Sequence, residues 1–293
     1  MSDRLNVCRV SLVLFLAATL SLPACQTTTE AGAVGVDRKQ TLLLSSEQVN
    51  EAAVSAYRQI VQAATQKGAL NRNPAHVQRV RAITQRLIPA TAAFRKDAPG
   101  WNWEVNVIES PQVNAWAMPG GKIAVYSGLI EKLNLTDDEL AAILGHEIAH
   151  ALREHGRERL AKSSLTGIGA RVGGALISGI FGIDPNITGT VANYAGQMLV
   201  LKFSRDEERE ADLVGLDISA RAGYDPRAGI ALWRKMAALG KRTPLEILST
   251  HPGGETRIAD IESHMNVLLP LYARTKGTSA AKLPPYRTNV ALR

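Results

Sequence analysis

One strongly marked helix, beginning just after Thr136, constrains the fold more than any other feature of the sequence. Thr136 and Glu139 form a capping-box pattern, and the acidic residues 137 and 138 suit the positive end of the helix dipole. Apolar residues then recur at helical spacing along one side: Leu140, Ile143, Leu144, Ile148, Ala151 and Leu152. We therefore predict a helix that buries this side against the rest of a folded domain.

Two histidines on this helix lie one turn apart. His146 and His150 are four residues apart and so share a face, where both imidazoles can reach a single Zn²⁺ at about 2.0–2.1 Å. Glu147 would then lie beside the remaining coordination position without being a ligand itself. Two solvent-exposed histidines would give the same HExxH letters, but the small neighbours Gly145 and Ala149 favour a closely packed site.

A zinc site needs a further ligand, because two histidines leave it incomplete. His155 is the nearest candidate in the sequence, but it lies about 140° round the helix from His150. We therefore predict that His155 lies at the surface or in a layer outside the ligands.

The stretch "SRDEEREADLVG" offers a better third ligand. Glu208 and Asp212 share one helix face. Glu208 would complete an open two-His, one-Glu site, and Asp212 would orient a ligand imidazole through its other nitrogen. Glu210 is expected to point away from that face, and we predict that Glu207 and Glu210 belong to a charged helix surface.

The remaining sequence predicts an α+β fold, mostly helical, with one small sheet. Helical spacing covers Ser46–Leu70 and resumes after residue 73, with a weak point at Pro89. The period then changes to two in "WEVNVIE", "VNAWAM" and "KIAVYSG", and a Pro-Gly-Gly turn separates the last two. Residues 103, 105 and 107 should face inward and residues 104, 106 and 108 the other way. We predict that this sheet is largely antiparallel.

The first 25 residues have the character of a targeting segment. Arg4 and Arg9 precede the apolar run "SLVLFLAATLSL", which is too short to span a bilayer. Leu22, two further residues and Cys25 resemble the lipobox of bacterial lipoproteins, which implies cleavage before Cys25 and a lipid on it; an ordinary secretory signal is the alternative. Gln26 in the second mature position favours the outer membrane, facing the periplasm.

Composition narrows the choice of partners. The net charge of +7 is spread along the chain, so we expect no nucleic-acid surface but a mild attraction to anionic membranes. Without Cys8, which would leave with the signal, no intramolecular disulfide can form. About twenty residues of the glycine-rich stretch 163–196 could nearly span a bilayer, but Arg171 and the glycines favour a mobile lid or a membrane-facing surface.

Five stretches, in order, resemble peptidase family M48. They are "NAWAMPGGKIAVYSGLI", "HEIAH", "SRDEEREAD", "AGYDPRAGIALWRKM" and "THPGGETRIADI", and the resemblance covers roughly residues 105–261. The sequence resembles the lipoprotein, periplasmic branch of this family rather than the membrane-spanning ones. The resemblance implies a zincin-like (gluzincin) fold and metalloendopeptidase activity, with one Zn²⁺ per chain bound by His146, His150 and Glu208. It also implies that Glu147 is the general base.

Other residues receive roles that follow from this chemistry. Asn114 and Ala115 would offer a strand edge to an extended substrate, although a strand-end hydrogen bond is the alternative for Asn114. His251, in "STHPGG", would stabilise the oxyanion, close on the zinc as a removable fourth ligand, or cap a local turn. Arg257 would steady that loop by pairing with the helix of Glu208 or with Asp212.

We therefore predict a signal peptide (1–24), a lipidated N-terminus and tether (25–45), a metallopeptidase domain (46–272) and a tail (273–293). The expected activity is hydrolysis of unfolded or misassembled envelope proteins. The alternative is a latent protease that acts mainly as a chaperone or scaffold, with outer-membrane assembly machinery as partner. A purely structural zinc site would need four closed ligands and would leave Glu147 unexplained.

Overall fold

The computed structural model describes residues 25–165, 202–241 and 244–289. The strands are β1 (Cys25–Gln26), β2 (Gln40–Thr41), β3 (Glu104–Ile108), β4 (Ala115–Met118) and β5 (Lys122–Tyr126). The helices are α1 (Ser46–Gln66), α2 (Pro74–Leu87), α3 (Ser127–Leu133), α4 (Asp137–Leu152), α5 (His155–Leu165), α6 (Arg205–Arg221), α7 (Ala228–Gly240), α8 (Glu246–Thr250), α9 (Glu255–Ser263) and α10 (Met265–Thr275). The predicted signal peptide lies outside the described residues, as does the glycine-rich stretch from residue 166 onward.

The described ranges contain no helix with both the length and the apolar character that crossing a lipid bilayer requires.

The fold is α+β and mostly helical, as predicted, but its three-stranded sheet is mixed rather than largely antiparallel. The strand order is β3-β5-β4, with β5 parallel to β3 and antiparallel to β4. The chain reverses between β3 and β4 and again in the β4–β5 hairpin, so β5 runs in the direction of β3. Gly120 and Gly121 make the hairpin turn with φ of 77° and 81°, a conformation that other residues rarely adopt. In the strand order β3-β5-β4, β4 lies at one edge of the sheet.

Both faces of the sheet are covered. On one face, Tyr57 of α1 packs edge-on against Trp116, with ring centres 5.9 Å apart, and its hydroxyl donates to the Ile123 carbonyl at 3.1 Å. The Asn106 amide in turn donates to the Tyr57 hydroxyl at 2.9 Å. The other face packs against α2 and α4. Side chains along β3 alternate between the two faces, as predicted, and each face packs against its own core. Asn106 and Ile108 are therefore buried although they face away from Val107.

The helix ends follow the sequence signals. The predicted capping box of α4 is formed, with each of Thr136 and Glu139 bonding the backbone of the other. Asn73 caps α2, and the helix begins with Pro74, a residue that suits the first helical position. The weak point predicted at Pro89 is a change of helix type, because Ile88–Ala93 forms a 3₁₀ helix after α2.

The central packing is between α4 and α6, which lie against each other with almost no side-chain volume between them. A Cβ atom placed on Gly145 would lie 2.5 Å from the Gly215 carbonyl oxygen, so the two backbones are in contact. The Ser219 hydroxyl of α6 donates to the Ala141 carbonyl of α4 at 3.1 Å. The predicted close packing at Gly145 is confirmed, and it brings the two motif-bearing helices together.

The segment before α1 packs against the domain, although we predicted a polar tether there. Residues 28–41, here called the N-terminal strap, bury Val34 in the main core. Gln40 is fully buried, and its amide donates to the Arg153 carbonyl at 2.5 Å. Cys25 opens β1, which pairs with β2 at the end of the strap. The bond from Gln40 to Arg153 could not be predicted from the sequence, because the stretch is polar and its partner lies more than a hundred residues away.

Candidate metal centre and active-site cleft

The three ligands predicted from the sequence converge where α4 faces α6. His146 Nε2 and His150 Nε2, from successive turns of α4, are 3.0 Å apart. Glu208, in the first turn of α6, places Oε2 3.6 Å from His146 Nε2 and Oε1 3.3 Å from His150 Nε2. All three side chains are buried. The two helix backbones approach closely, and this allows the Glu208 side chain to reach both imidazoles.

His251 adds a fourth donor to this group. It follows α8, and its Nδ1 lies 3.3 Å from His146 Nε2 and 2.9 Å from Glu208 Oε1. Its ring therefore faces the other donors instead of the backbone of its own turn. Of the three roles that the sequence left open, this position is closest to that of a fourth ligand.

The donor atoms fit one metal ion. They all lie within 4.8 Å of one another. In a tetrahedral zinc site with bonds of about 2.0–2.1 Å, neighbouring donors are about 3.3–3.4 Å apart. The separations given above run from 2.9 to 3.6 Å. Imidazole nitrogens and a carboxylate oxygen are also donors that zinc accepts.

Asp212 and Arg257 hold the outer side of His146. Asp212 Oδ1 lies 3.0 Å from His146 Nδ1, the nitrogen that faces away from the other donors. Arg257 donates to both oxygens of Asp212, at 2.5 and 2.6 Å, and also to Glu208. Burial alone would raise the pKa of Asp212, but the charge of Arg257 and the bond to His146 lower it. The carboxylate therefore stays ionised and orients the imidazole, the arrangement expected from sequence.

Glu147 is placed next to the donors without belonging to them. Its Oε1 lies 3.9 Å from His251 Nε2 and has no hydrogen-bond partner among the described residues. Burial raises the pKa of Glu147, and the nearby His251 and His146 rings and the backbone N–H of Ala117 oppose this shift in part. A buried carboxylate with one free oxygen and a raised pKa is suited to accepting and releasing a proton.

His155 and Glu210 differ most from their predicted places. His155 is fully buried, so its predicted surface position is wrong and the alternative of an outer layer holds. Its Nδ1 lies 2.8 Å from His150 Nδ1, and its Nε2 lies 3.0 Å from Glu210 Oε2. Glu207 and Glu210 are also buried, so the prediction of a charged surface is wrong for both. These charges are tolerated inside because arginine, lysine and histidine side chains pair with them.

Two further residues at the site were not predicted from the sequence. Phe203 stacks on the His150 ring, with centres 3.7 Å apart and planes 22° apart. The Arg159 guanidinium lies over the other side of Phe203, 3.5 Å from the ring centre. Neither residue belongs to a periodic motif, so no sequence signal pointed to it.

A cleft opens beside Glu147 and is lined by β4. The Tyr126 N–H donates to the Asn114 carbonyl at 3.1 Å, so the alternating residues Ala115 and Ala117 turn their backbone groups toward the free edge of the sheet. The Asn114 side chain accepts from the Ala115 N–H at 3.0 Å, which is the strand-end bond considered as the alternative. Both predicted substrate residues line the cleft, with their backbones pointing in opposite directions.

Comparison with known proteins agrees with this geometry. The sequence model described as peptidase family M48 matches residues 74–265, more than half of the chain. The chain belongs to peptidase family M48. The matched region contains α4, α6 and His251, and so every donor of the candidate metal centre.

Several M48-related proteins align with this chain. Mitochondrial metalloendopeptidase OMA1 of Arabidopsis thaliana is 37% identical over 158 residues, which cover 54% of this chain and 30% of the relative. The mitochondrial metalloendopeptidase OMA1 of Bos taurus is 32% identical over 213 residues, 68% of this chain and 38% of the relative. The β-barrel assembly-enhancing protease of Escherichia coli is 28% identical over 177 residues, 58% of this chain and 36% of the relative. The alignments thus span about a third of each of these relatives.

Proposed function

We propose that this chain is a zinc-dependent metalloendopeptidase. Glu147 supports the proposal most directly, because its free carboxylate oxygen is buried beside four metal-binding donors and opens onto the cleft. A structural zinc site has no use for such a carboxylate. The proposed ligands are His146, His150 and Glu208, which form the open catalytic set once His251 moves away.

The residues divide the reaction between them. Zinc, when bound, would polarise the scissile carbonyl and make a water molecule more acidic. Glu147 would take a proton from the attacking water molecule as the oxygen of that water bonds to the carbonyl carbon. The same carboxyl would then give that proton to the departing amide nitrogen as the carbon–nitrogen bond breaks. Asp212 would keep His146 oriented throughout, and Arg257 would keep Asp212 ionised.

The cleft supports a preference for extended polypeptide. Ala115 and Ala117 lie on an edge strand. Their N–H groups are bonded to Asn114 and Glu147, so a substrate strand would donate its own N–H groups to their carbonyl oxygens, without a particular side-chain sequence. A folded domain seldom offers a free extended strand. We therefore propose unfolded or misassembled proteins as substrates.

The first test compares the parent protein with Glu147→Gln on fluorescently labelled casein, after bound zinc has been measured in both. Loss of the general base should lower the cleavage rate by about 10²–10⁴-fold. Zinc content should be unchanged, since Glu147 is not a ligand. Glu131→Gln, on the exposed side of α3, is the matched control and should cleave like the parent. A Glu147→Gln variant as active as the parent would refute the mechanism.

We also propose that the protein acts in a bacterial cell envelope, held by a lipid on Cys25 and facing the periplasm. The lipobox-like residues Leu22–Cys25 and the Escherichia coli relative named for β-barrel assembly support this location. Cys25→Ala should move the protein from the membrane fraction to the soluble fraction. Retention in the membrane fraction would refute the lipid anchor.

A second function is favoured by the position of His251. A latent protease that serves mainly as a chaperone or scaffold for outer-membrane protein assembly would keep its metal closed by a fourth ligand. His251 Nδ1 occupies the fourth corner of the donor set. The two functions differ in whether this ring leaves the metal during turnover.

A further inference from the structure

The outer nitrogen of His150 is bonded differently from that of His146. His150 directs Nε2 toward the metal donors, so in the neutral, metal-binding ring Nδ1 carries the proton. Nδ1 therefore donates to His155 Nδ1 across 2.8 Å. His155 must then carry its own proton on Nε2, from which it donates to Glu210 Oε2 across 3.0 Å. The donors and acceptors agree along the whole chain from His150 to Glu210.

Glu210 is itself fixed by two arginines. Arg153, fully buried, donates to Glu210 Oε2 from Nε at 3.0 Å and from Nη2 at 2.8 Å. Arg38 also donates to Glu210, and its own carbonyl accepts from Arg153 Nη2 at 2.8 Å. Glu210 therefore offers His155 a carboxylate that is held in place from two sides.

Arg38 comes from the N-terminal strap, far from the site in sequence. The guanidinium reaches Glu158 as well as Glu210, with nitrogen–oxygen distances of 2.7 and 2.8 Å to Glu158. Gln40, two residues on, donates to Glu158 at 3.0 Å. The strap thus closes one side of the network that ends at His150.

We propose that His155 and Glu210 are positioning residues for His150, and that the strap, through Arg38, is part of their support. Asp212 bonds His146 directly, whereas Glu210 lies on another face of α6 and reaches His150 only through the intervening imidazole of His155. The carboxylate–imidazole pair fixes the tautomer and rotation of His150 and raises its affinity for metal. This inference depends on the proposed metal centre, but not on peptidase activity.

The test measures zinc affinity of the full chain by competition with a chromophoric chelator. His155→Phe keeps a ring of similar size but removes both hydrogen bonds, and should weaken zinc binding by about 10- to 100-fold. His155→Gln, whose amide can still accept from one neighbour and donate to the other, should recover part of the loss. Arg38→Ala should give a smaller loss in the same direction. Lys39→Ala, an exposed neighbour on the strap, is the control and should bind zinc like the parent.

Thermal unfolding of each metal-free variant separates positioning from folding. A positioning role requires weaker zinc binding in variants whose metal-free form still unfolds cooperatively near the parent's temperature. Zinc binding equal to the parent's in His155→Phe would overturn the proposal, and so would a loss seen only in variants that are already unfolded. A parent chain that binds no zinc would refute the metal centre, and with it the positioning role of His155 and Glu210. Zinc binding without cleavage would refute only the peptidase.

Discussion

At the scale of single residues, His251 decides whether the metal centre is open. Its Nδ1 is close enough to Glu208 and His146 to share their metal. If it is a removable fourth ligand, His251→Ala should free that position and raise the initial rate of casein cleavage, while zinc binding weakens. His264→Ala, a histidine at the α9–α10 junction remote from the donors, is the control and should leave both unchanged.

The opposite result would also be informative. If His251→Ala cleaves as slowly as Glu147→Gln, the ring is needed in the reaction, and the oxyanion role takes the place of the inhibitory one. Zinc affinity equal to the parent's would contradict a fourth ligand whatever the rate. The cleavage rate and the zinc affinity of His251→Ala thus distinguish an inhibitory fourth ligand from an oxyanion stabiliser.

Single-residue chemistry was predictable where local spacing determines it. His146, Glu147 and His150 follow from one helix, and Glu208 with Asp212 from the geometry of another. His155 was misplaced because helical angle alone ignores the end of α4: α5 begins at His155, and the change of direction turns its ring back to His150. Phe203 and Arg159 were missed because their contacts depend on tertiary packing.

At the scale of elements, the contact between α4 and α6 sets the distance between the histidines and Glu208. A Cβ atom on Gly215 would lie 2.5 Å from the His146 backbone nitrogen. Alanine is favoured over glycine inside a helix by about 1 kcal/mol, but this overpacking should reverse the sign and cost about 1–3 kcal/mol. We therefore expect Gly215→Ala to lower the free energy of unfolding of the metal-free protein, measured with urea.

The same substitution should weaken zinc binding, because it pushes α6 and its Glu208 away from His146. Gly100→Ala is the matched control, since its Cβ would meet no atom within 4 Å. A Gly215→Ala protein as stable as the Gly100→Ala protein would contradict the close approach of the two helices.

The helices were more predictable from the sequence than the sheet. Caps such as Thr136 and apolar spacing are local signals, and they located α1, α2 and α4. Strand order is set by which strands meet in space, and the alternation along β3 indicated two faces without indicating that β5 runs parallel to it. The edge position of β4, on which the proposed substrate binding depends, could be learned only from the fold.

At the scale of the whole molecule, the N-terminal strap bonds to α5 and α6 through Arg38. The sequence predicted a tether here, because the stretch is polar, its residues are small and it has no periodic pattern. Of its two charged partners, Glu158 and Glu210, the sequence pattern predicted a surface position for Glu210. The pairing of Arg38 with both explains why each of these carboxylates can be buried. Opposite charges from distant parts of the chain thus hold the strap in place.

Glu158 makes this coupling measurable by pH. Burial alone would raise its pKa, but hydrogen bonds from Arg38, Lys162 and Gln40 overcome that effect and lower the pKa from 4.5 to about 2. The unfolded chain therefore takes up this proton at a higher pH than the folded chain does. The stabilisation is complete above about pH 4.5, shrinks as the pH falls toward 2, and is absent below that.

Glu158→Gln should therefore lower the free energy of unfolding of the metal-free protein at pH 7, with little effect at pH 2. The full pKa shift corresponds to about 3 kcal/mol, and the partial exposure of Arg38 (29%) and Lys162 (46%) reduces the expected loss to about 1–2 kcal/mol. Urea unfolding of parent and variant between pH 7 and pH 3 should show the gap narrowing below pH 4.5. Glu51→Gln, on the exposed side of α1, should show no gap at any pH. A gap that stays constant across this range would mean that Glu158 stabilises the strap through packing, independently of its charge.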